Sequence, residues 1–329
     1  MIPVLFGVLT LTFIFSRMMP EDPVVLLLAA RGNPAASSDQ IAHMRHLLGL
    51  DLPIIIQYFR YLGELFTGNW GESVTAYPTA PVFTLIWNRL PFTIDLTIFS
   101  MIIATYVGIK VGVTAATHRN KARDTIFRGI SLIGVAIPVF FLGLLLQYAL
   151  AIRLQWLPAT GYKTGTYRDP PFLTGFYMID AILAGELYKV SDYLLHMILP
   201  VFCLSFITLA SITRQTRSAM LEVLEQDYIR TARAKGVKEK DVIHKHALKN
   251  SMIPTVTVIG FNFAGLLAGA VLTETTFNLE GIGTLYVEAV TLSDYWLLNA
   301  VVFVITIIFV FATLITDLLY AILDPRIRY

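Results

Sequence analysis

The sequence predicts an all-α membrane protein that crosses the bilayer several times. Hydrophobic residues make up 56% of the 329 positions and charged residues only 15%, whereas soluble domains carry roughly a quarter charged residues. The mean hydropathy is +0.66. The chain therefore has too little polar surface to enclose a soluble core of this size, and the bilayer is the solvent that fits. The net charge of +2 is too small to indicate a nucleic-acid partner.

Six apolar stretches have the length that a membrane-spanning helix needs, which is roughly 20 residues. They are predicted to be helices because lipid tolerates no unpaired backbone polar groups. Strands of a membrane barrel would alternate polar and apolar residues, and these stretches do not. The six predicted spans are Ile2–Met19, Phe92–Thr117, Thr125–Ile152, Tyr193–Ile212, Ile253–Phe277 and Trp296–Leu323.

The first apolar stretch lacks the basic n-region and the small-residue cleavage site of a signal peptide. We therefore expect residues 1–19 to form a retained first transmembrane helix. Residues 20–91 would follow as an extracytoplasmic segment. Residues 92–323 would form the core with the other five spans, and residues 324–329 would form a tail.

Basic residues predict the orientation, because cytoplasmic connections carry an excess of Lys and Arg. The connection after the second span has four basic residues, the loop 213–252 has nine, and the tail has two. The connection between the fifth and sixth spans has none. Both termini and the loop 213–252 are therefore expected in the cytoplasm, and the loop 153–192 outside. In the outer segment 20–91, the helical spacing of apolar residues over Leu52–Phe66 predicts an amphipathic helix that packs on the spans or on the membrane face.

The most informative stretch is Gln226–Asn250, which we call the basic segment. Small and apolar residues at Ile229, Ala232 and Ala234 predict a short helix, and Gly236 can adopt the positive φ that ends one. A second helical pattern follows over Lys238–Lys249. Small residues beside the glycine would let a partner approach the backbone, and the basic residues would steer and orient that partner.

The basic segment resembles the EAA loop of ABC-importer permeases. Arg230-Thr231-Ala232, three further residues and Gly236 follow its pattern, with Arg230 where the general consensus has Glu. His246-Ala247-Leu248-Lys249 stands where most permeases have Ile-x-Leu-Pro. Both departures are typical of the B-type subunit of the dipeptide/oligopeptide permeases.

Further motifs of the same family occur in order along the whole chain. They are Leu90-Pro91-x-Thr93, Leu157-Pro158-Ala159-x-Gly161-Tyr162, His196-x-Ile198-Leu199-Pro200, Thr273-Glu274-Thr275, Gly281-Ile282-Gly283 and the terminal Asp324-Pro325-Arg326-Ile327-Arg328-Tyr329.

The resemblance implies a type I importer permease with MetI-like architecture, six spans and a cytoplasmic coupling helix, in a prokaryotic inner membrane. It implies a heterodimer with a homologous permease, two ABC ATPase subunits on the cytoplasmic loops and an extracytoplasmic substrate-binding protein. Membrane lipid is a further expected partner of this chain. The residues expected to couple to the ATPase are Tyr228, Arg230, Thr231, Ala232, Arg233, Ala234, Lys235, Gly236, His246 and Leu248.

The chain is not expected to be an enzyme. It contains no GxxxxGK[ST] phosphate loop, so ATP and Mg²⁺ would bind to the partner ATPases, and no cofactor is expected on this chain. His43 with His46 and His244 with His246 lack an evident third ligand, so no metal site is expected. The sequence shows no Ser/His/Asp or HExxH constellation of the kind that would indicate a membrane hydrolase.

Several polar and small residues inside the predicted spans are candidates for the pore or for an interface. Asp95 is interpreted as a partner for a helix end or as part of an outer gate. Gln147 and Asn262 would either bond between helices or line the pore. Gly265 and Gly269 form a small-x-x-x-small pair, which lets helices approach closely, and the family places this span at the partner permease.

Two alternatives stay open. Relatives in the resembled family carry nickel complexes or oligosaccharides rather than peptides. A self-sufficient secondary transporter or channel would be expected to show inverted repeats with helices broken at mid-membrane, and the sequence shows neither clearly.

Overall fold

The computed structural model describes residues 2–19 and 22–323; the side-chain surroundings of residues 268, 269 and 319–323 lie outside this description. Within those ranges the chain is almost entirely helical, with an isolated antiparallel bridge between Glu72 and Pro81. The helices, in chain order, are α1 Ile2–Arg17, α2 Pro23–Ala30, α3 Ser38–Leu47, α4 Ile54–Thr67, α5 Val82–Thr117, α6 Ala122–Ala136, α7 Val139–Leu146, α8 Tyr177–Leu183, α9 Leu187–Leu224, α10 Asp227–Ala234, α11 Glu239–Asp241, α12 Leu248–Gly269, α13 Val271–Phe277, α14 Ile282–Thr291 and α15 Tyr295–Leu323.

Four helical stretches of the described chain are long and apolar enough to cross a membrane. They are α5, α9, the continuous stretch Glu239–Leu267 that contains α12, and α15. A fifth crossing is possible where α6 and the following helix Val139–Arg153 form a bent pair. Helix α1 is apolar but has 16 residues, about 24 Å of helix against a hydrocarbon core of about 30 Å. The number of six spans is therefore not established by these helices.

The predicted third span, Thr125–Ile152, is wrong as a continuous helix. It breaks before Pro138, and its two halves are bent by 102°. Pro138 has no N–H to donate and clashes with the preceding turn, so a helix usually ends before such a residue. Its second half continues beyond α7 as a π-helix, Gln147–Arg153.

Other predicted bounds also shift. The second span begins at Val82 rather than Phe92, because Pro91 is accommodated inside α5. The fourth extends from Leu187 to Leu224, well beyond Ile212. The fifth divides near Ala270 into α12 and α13. Apolar composition predicted where these helices lie in the sequence, but not how far polar residues extend them.

The pair α5 and α9 forms the centre of the molecule, and α12 packs on both α9 and α15. The largest buried cluster joins Leu96 of α5 with Tyr193, Met197 and Leu199 of α9 and with Phe277 of α13. The predicted amphipathic helix is confirmed as α4. Its buried Tyr61 and Leu65 pack with Leu9 and Phe13 of α1 and with Phe303 of α15.

Candidate functional site

The first half of the basic segment is the helix α10, which has one buried face. Ile229 is fully buried and Ala232 is 9% exposed. They pack in one cluster with Val113 of α5, Met220 of α9 and Val242 of the π-helix Val242–Ala247. Because the apolar side chains face the spans, α10 is held against the ends of the membrane helices rather than extending freely from them.

Gly236 follows α10 in the predicted left-handed conformation, with φ of +75°. A Cβ built at this position would meet no atom within 4 Å. The turn therefore favours glycine for its backbone geometry and leaves an open surface beside it.

The predicted second helix of the basic segment is not a separate element. Glu239–Asp241 is one helical turn, Val242–Ala247 is a π-helix, and the chain continues directly into α12. The basic segment is therefore a short helix joined by a glycine turn to the end of a membrane helix. The apolar side chains of Val242 and Ala247, both buried, explain this continuity because they pack on the same cluster as α10.

Most of the residues predicted to meet an ATPase are exposed, but Ala232 is not. Its side chain faces the spans, because position 232 lies on the same helical face as Ile229. Its part in coupling to an ATPase stays a prediction. His246 and Leu248 are half-buried. The exposed members of the predicted set are Tyr228, Arg230, Thr231, Arg233, Ala234, Lys235 and Gly236.

Ion pairs tie the basic segment together. The Arg233 guanidinium donates to both carboxylate oxygens of Glu239, at 2.8 and 3.1 Å. This hydrogen-bonded pair raises the pKa of Arg233. Arg230 contacts Asp227 at 3.2 Å, and Lys245 contacts Asp241 at 2.9 Å. The Arg233 pair bridges the glycine turn, so it helps to fix α10 relative to α11.

The candidate polar residues of the spans make contacts between helices. The Tyr193 hydroxyl of α9 donates to Asp95 of α5 at 2.8 Å. Asn262 of α12 donates to Ser211 of α9 at 2.9 Å. Gln147 donates to the carbonyl oxygens of Ala159 and Thr276, at 2.9 and 3.0 Å. Gln147 and Asn262 therefore make hydrogen bonds between segments, and pore lining by either residue stays a prediction.

Gly265 lies on an exposed face of α12, where a Cβ would meet no atom within 4 Å. The face is therefore available to another chain, as an interface role requires. The side-chain surroundings of Gly269, the second glycine of the pair, lie outside the described residues. Whether either glycine meets a partner stays a prediction.

Three of the sequence motifs that are far apart in the chain meet at one buried carboxylate. Glu274 of α13 is fully buried. It accepts hydrogen bonds from the Thr93 hydroxyl at 2.7 Å and from the Thr284 backbone N–H at 3.0 Å. The Thr93 oxygen in turn accepts from the Ile282 N–H at 2.8 Å. This network, which we call the Glu274 network, joins α5, α13 and α14.

Glycines make room for the Glu274 network. A Cβ at Gly283 would lie 2.8 Å from a carboxylate oxygen of Glu274, and a Cβ at Gly281 would overlap the same carboxylate. Sequence reasoning did not select Glu274 as a site residue. The signal was present, because a Glu between two threonines inside an apolar stretch is costly in a membrane unless it is bonded.

Residues 108–329 match the family described as "Binding-protein-dependent transport system inner membrane component", and residues 1–97 match its N-terminal family, "Binding-prot-dependent transport system membrane comp, N-term". The chain is 42% identical to the "Dipeptide transport system permease protein DppB" of Alkalihalophilus pseudofirmus, over 100% of this chain and 97% of the relative. It is 39% identical to the "Di/tripeptide transport system permease protein DppB" of Pseudomonas aeruginosa and 40% identical to the "Dipeptide transport system permease protein DppB" of Escherichia coli K12, each over 100% of this chain and 96% of the relative. The chain therefore belongs to the family of inner membrane components of binding-protein-dependent transport systems, the permease subunits of ABC importers.

Proposed function

We propose that this chain forms half of the translocation path of an importer for short peptides. The full-length similarity to permeases named for dipeptides and for di- and tripeptides supports this substrate class over oligosaccharides and nickel complexes. The other half of the path would be a homologous permease. An extracytoplasmic binding protein would deliver the peptide, and two ATPase subunits would supply the energy.

The basic segment is the proposed contact with the ATPase. In this proposal the basic segment faces the cytoplasm, as its excess of Lys and Arg favours. The observation that carries the proposal is the two-sided character of α10. Its exposed face offers Thr231 and Ala234, while Ile229 on the opposite face is buried in a cluster with residues of α5 and α9.

This arrangement would transmit movement into the membrane. ATP binding would draw the ATPase pair together and shift α10, and close packing would carry the shift to the helices that α10 contacts. The basic segment stands between the fourth and fifth predicted spans, so these two would receive the shift directly. Ile229 shares its buried cluster with Val113 and Ala116, which adds α5, the second span, to that route.

The test is uptake by the complete importer reconstituted in liposomes, with Gly236→Trp compared with Gly68→Trp. Gly68 is a matched control because it also ends a helix, has φ of +77° against +75° at Gly236, and has open space beyond its Cβ. The backbone cost is therefore similar at both positions, but only Gly236 adjoins α10. We expect Gly236→Trp to lower peptide uptake by about tenfold, within the usual range of coupling energies, while the complex still assembles and hydrolyses ATP. Equal uptake by the two variants would refute the coupling role.

A self-sufficient transporter is the second candidate, and the broken third span is the observation that favours it, since broken helices are common in secondary transporters. Purification in mild detergent separates the two. Retention of an ATPase pair supports the importer, whereas uptake by this chain alone supports the secondary transporter.

A further inference from the structure

A cavity of about 460 Å³ opens between the first turns of α5 and the segment that leads into α8. Leu85, Arg89 and Phe92 form one wall, and Phe172 and Tyr177 lie among the residues opposite. We call it the aromatic cavity. Its volume falls within the range of small-molecule sites, which is roughly 300–1,000 Å³. It lies at the opposite end of α5 from the basic segment, next to the Glu274 network, since Phe92 precedes Thr93 and Glu280 precedes Gly281.

The cavity lining is acidic. Asp169, Asp180 and Glu280 line it, against the single guanidinium of Arg89 among the lining residues. Asp180 is occupied by the backbone N–H groups of residues 173–175. The other two carboxylates are about half exposed, so they are the groups that a ligand can reach.

Asp169 and Glu280 each use one carboxylate oxygen in contacts with neighbouring side chains. In the described chain, the Tyr162 hydroxyl and the Lys163 ammonium both donate to Oδ1 of Asp169, at 3.1 and 2.5 Å. Arg89 reaches Oε2 of Glu280 at 3.1 Å. The second oxygen of each carboxylate is left to accept from a ligand, and an ammonium group carries three N–H donors for such acceptors.

Aromatic rings supply the rest of the wall. Tyr162 packs against Phe92 with ring centroids 4.7 Å apart and against Tyr177 at 5.5 Å. Tyr177 is 5% exposed, and its hydroxyl has no hydrogen-bond partner among the residues that the structure describes. Burial raises the pKa of Tyr177 to about 12, so the hydroxyl keeps its proton at neutral pH. Because the hydroxyl itself is buried, Tyr177 is part of the aromatic wall and not a group that a ligand reaches.

We propose that the aromatic cavity is an acceptor site for the peptide cargo inside the permease itself. The α-ammonium group of the peptide binds between Asp169 and Glu280, and its first side chain lies against the aromatic rings. The proposal rests on the peptide-importer function given above, because it names the part of this chain that receives the peptide on release from the binding protein.

The test is photo-cross-linking during turnover in the complete importer, reconstituted with its binding protein and tritiated alanyl-phenylalanine. The photoreactive residue p-benzoylphenylalanine replaces Phe172, which lines the cavity and is 61% exposed. The same replacement at Phe59, an exposed residue of α4, is the matched control. We expect tritium on this chain with the label at position 172 and background at position 59, and we expect excess unlabelled dipeptide to abolish the difference.

A further variant tests the polar contacts. Asp169→Asn combined with Glu280→Gln removes the two carboxylate charges that the ligand can reach, and it should lower the labelling at position 172 by about threefold or more, since hydrogen bonds to charged groups are the stronger ones. Tyr188→Phe, on a tyrosine outside the cavity, should leave the labelling unchanged. A structural role alone for the two carboxylates would lower the amount of assembled complex rather than the labelling per complex.

The outcomes separate this inference from the proposed function. Normal peptide uptake with equal labelling at positions 172 and 59 overturns the acceptor site and leaves the importer standing. Cross-linking at position 172 to the binding protein alone also overturns the site, because the cavity then holds a side chain of that protein. Absence of peptide uptake by the wild-type complex overturns both.

Discussion

At the scale of single residues, Gly112 shows how closely α5 and α9 approach. A Cβ at this position would lie 2.6 Å from the Cβ of Thr216 and 2.9 Å from the carbonyl oxygen of Thr213. Gly108, one turn earlier, faces Ile212 in the same way, at 2.9 Å. The small-x-x-x-small pair in this span thus serves packing within the chain.

Gly112→Ala is therefore expected to destabilise the protein, and Gly129→Ala is its control. Both glycines are helical, so alanine gains up to about 1 kcal/mol of helix propensity at either position. Gly129 has no atom within 4 Å of a built Cβ, so its variant should be as stable as the wild type or more so. The midpoint of thermal unfolding in detergent should fall for Gly112→Ala alone. A rise for both variants would show that α5 and α9 are not in this contact.

Asp180 organises the segment before α8 and predicts a pH dependence. Burial acts to raise the pKa of Asp180, but hydrogen bonds from Thr174 and from the backbone N–H groups of Leu173 and Gly175 outweigh it and lower the pKa. A carboxyl whose pKa is lowered by folding stabilises the fold above its unfolded pKa, about 3.9, and loses that contribution as pH falls through the lower folded value.

Asp180→Asn should therefore cost about 1–3 kcal/mol at neutral pH. The gap in unfolding midpoint between wild type and variant should narrow as the pH falls below about 4, because the wild-type carboxyl becomes protonated. Asp39→Asn, at an exposed residue, should show little change at any pH. A gap that widens in acid would contradict the assignment.

At the scale of elements, the bend in the third predicted span depends on contacts from a distant helix. Pro138 interrupts the helix, but a proline alone does not set the direction in which the chain continues. The second half packs through Gly143 on Thr276 and Phe277 of α13. Gln147 then bonds to the carbonyl oxygens of Ala159 and Thr276. The direction of the bend is therefore set by the packing of α7 on α13.

Gln147→Met is expected to loosen this packing more than Pro138→Ala does. Methionine fills much of the same space but donates no hydrogen bond, so two carbonyl oxygens lose a donor at a cost of about 1–3 kcal/mol. Gln57→Met is the control, because Gln57 also donates to two backbone carbonyl oxygens, but at a surface where water can replace it. The measurement is again thermal unfolding in detergent. Equal shifts for Gln147→Met and Gln57→Met would contradict the proposed role of Gln147.

At the scale of the whole molecule, the distribution of basic residues predicts which end faces the cytoplasm. The prediction can be tested in a Cys203→Ala background, since Cys203 is the single cysteine and is fully buried. The two test variants are Thr231→Cys in α10 and Thr166→Cys before α8. Both threonines are exposed, and they lie on the two sides of the membrane that the prediction distinguishes. An impermeant maleimide should label position 166 in right-side-out vesicles and position 231 in inside-out vesicles. The reverse pattern would invert the topology.

Much of the architecture could be predicted because it depends on local composition. Runs of apolar residues predicted where the long apolar helices lie, although not their number as membrane spans, and the small-residue pattern with Gly236 predicted α10 and its turn. The directions in which consecutive helices run and the contacts between residues distant in sequence could not be predicted. Hydropathy does not predict the bend of 102° between α6 and the helix Val139–Arg153. Nor does it predict that Lys238–Lys249 leads into α12 rather than forming a helix of its own.

The sequence by itself determined that this chain is a membrane protein of the importer-permease family. Composition and the order of the motifs can be recognised without knowing which residues are in contact. Only the tertiary structure decided that Ala232 faces the spans, that Gln147 joins segments of the chain, and that Thr93 and Glu274 share a hydrogen bond across 181 positions of sequence. The physical reason is that a buried polar group needs a partner, and the partner can lie anywhere that the fold brings close.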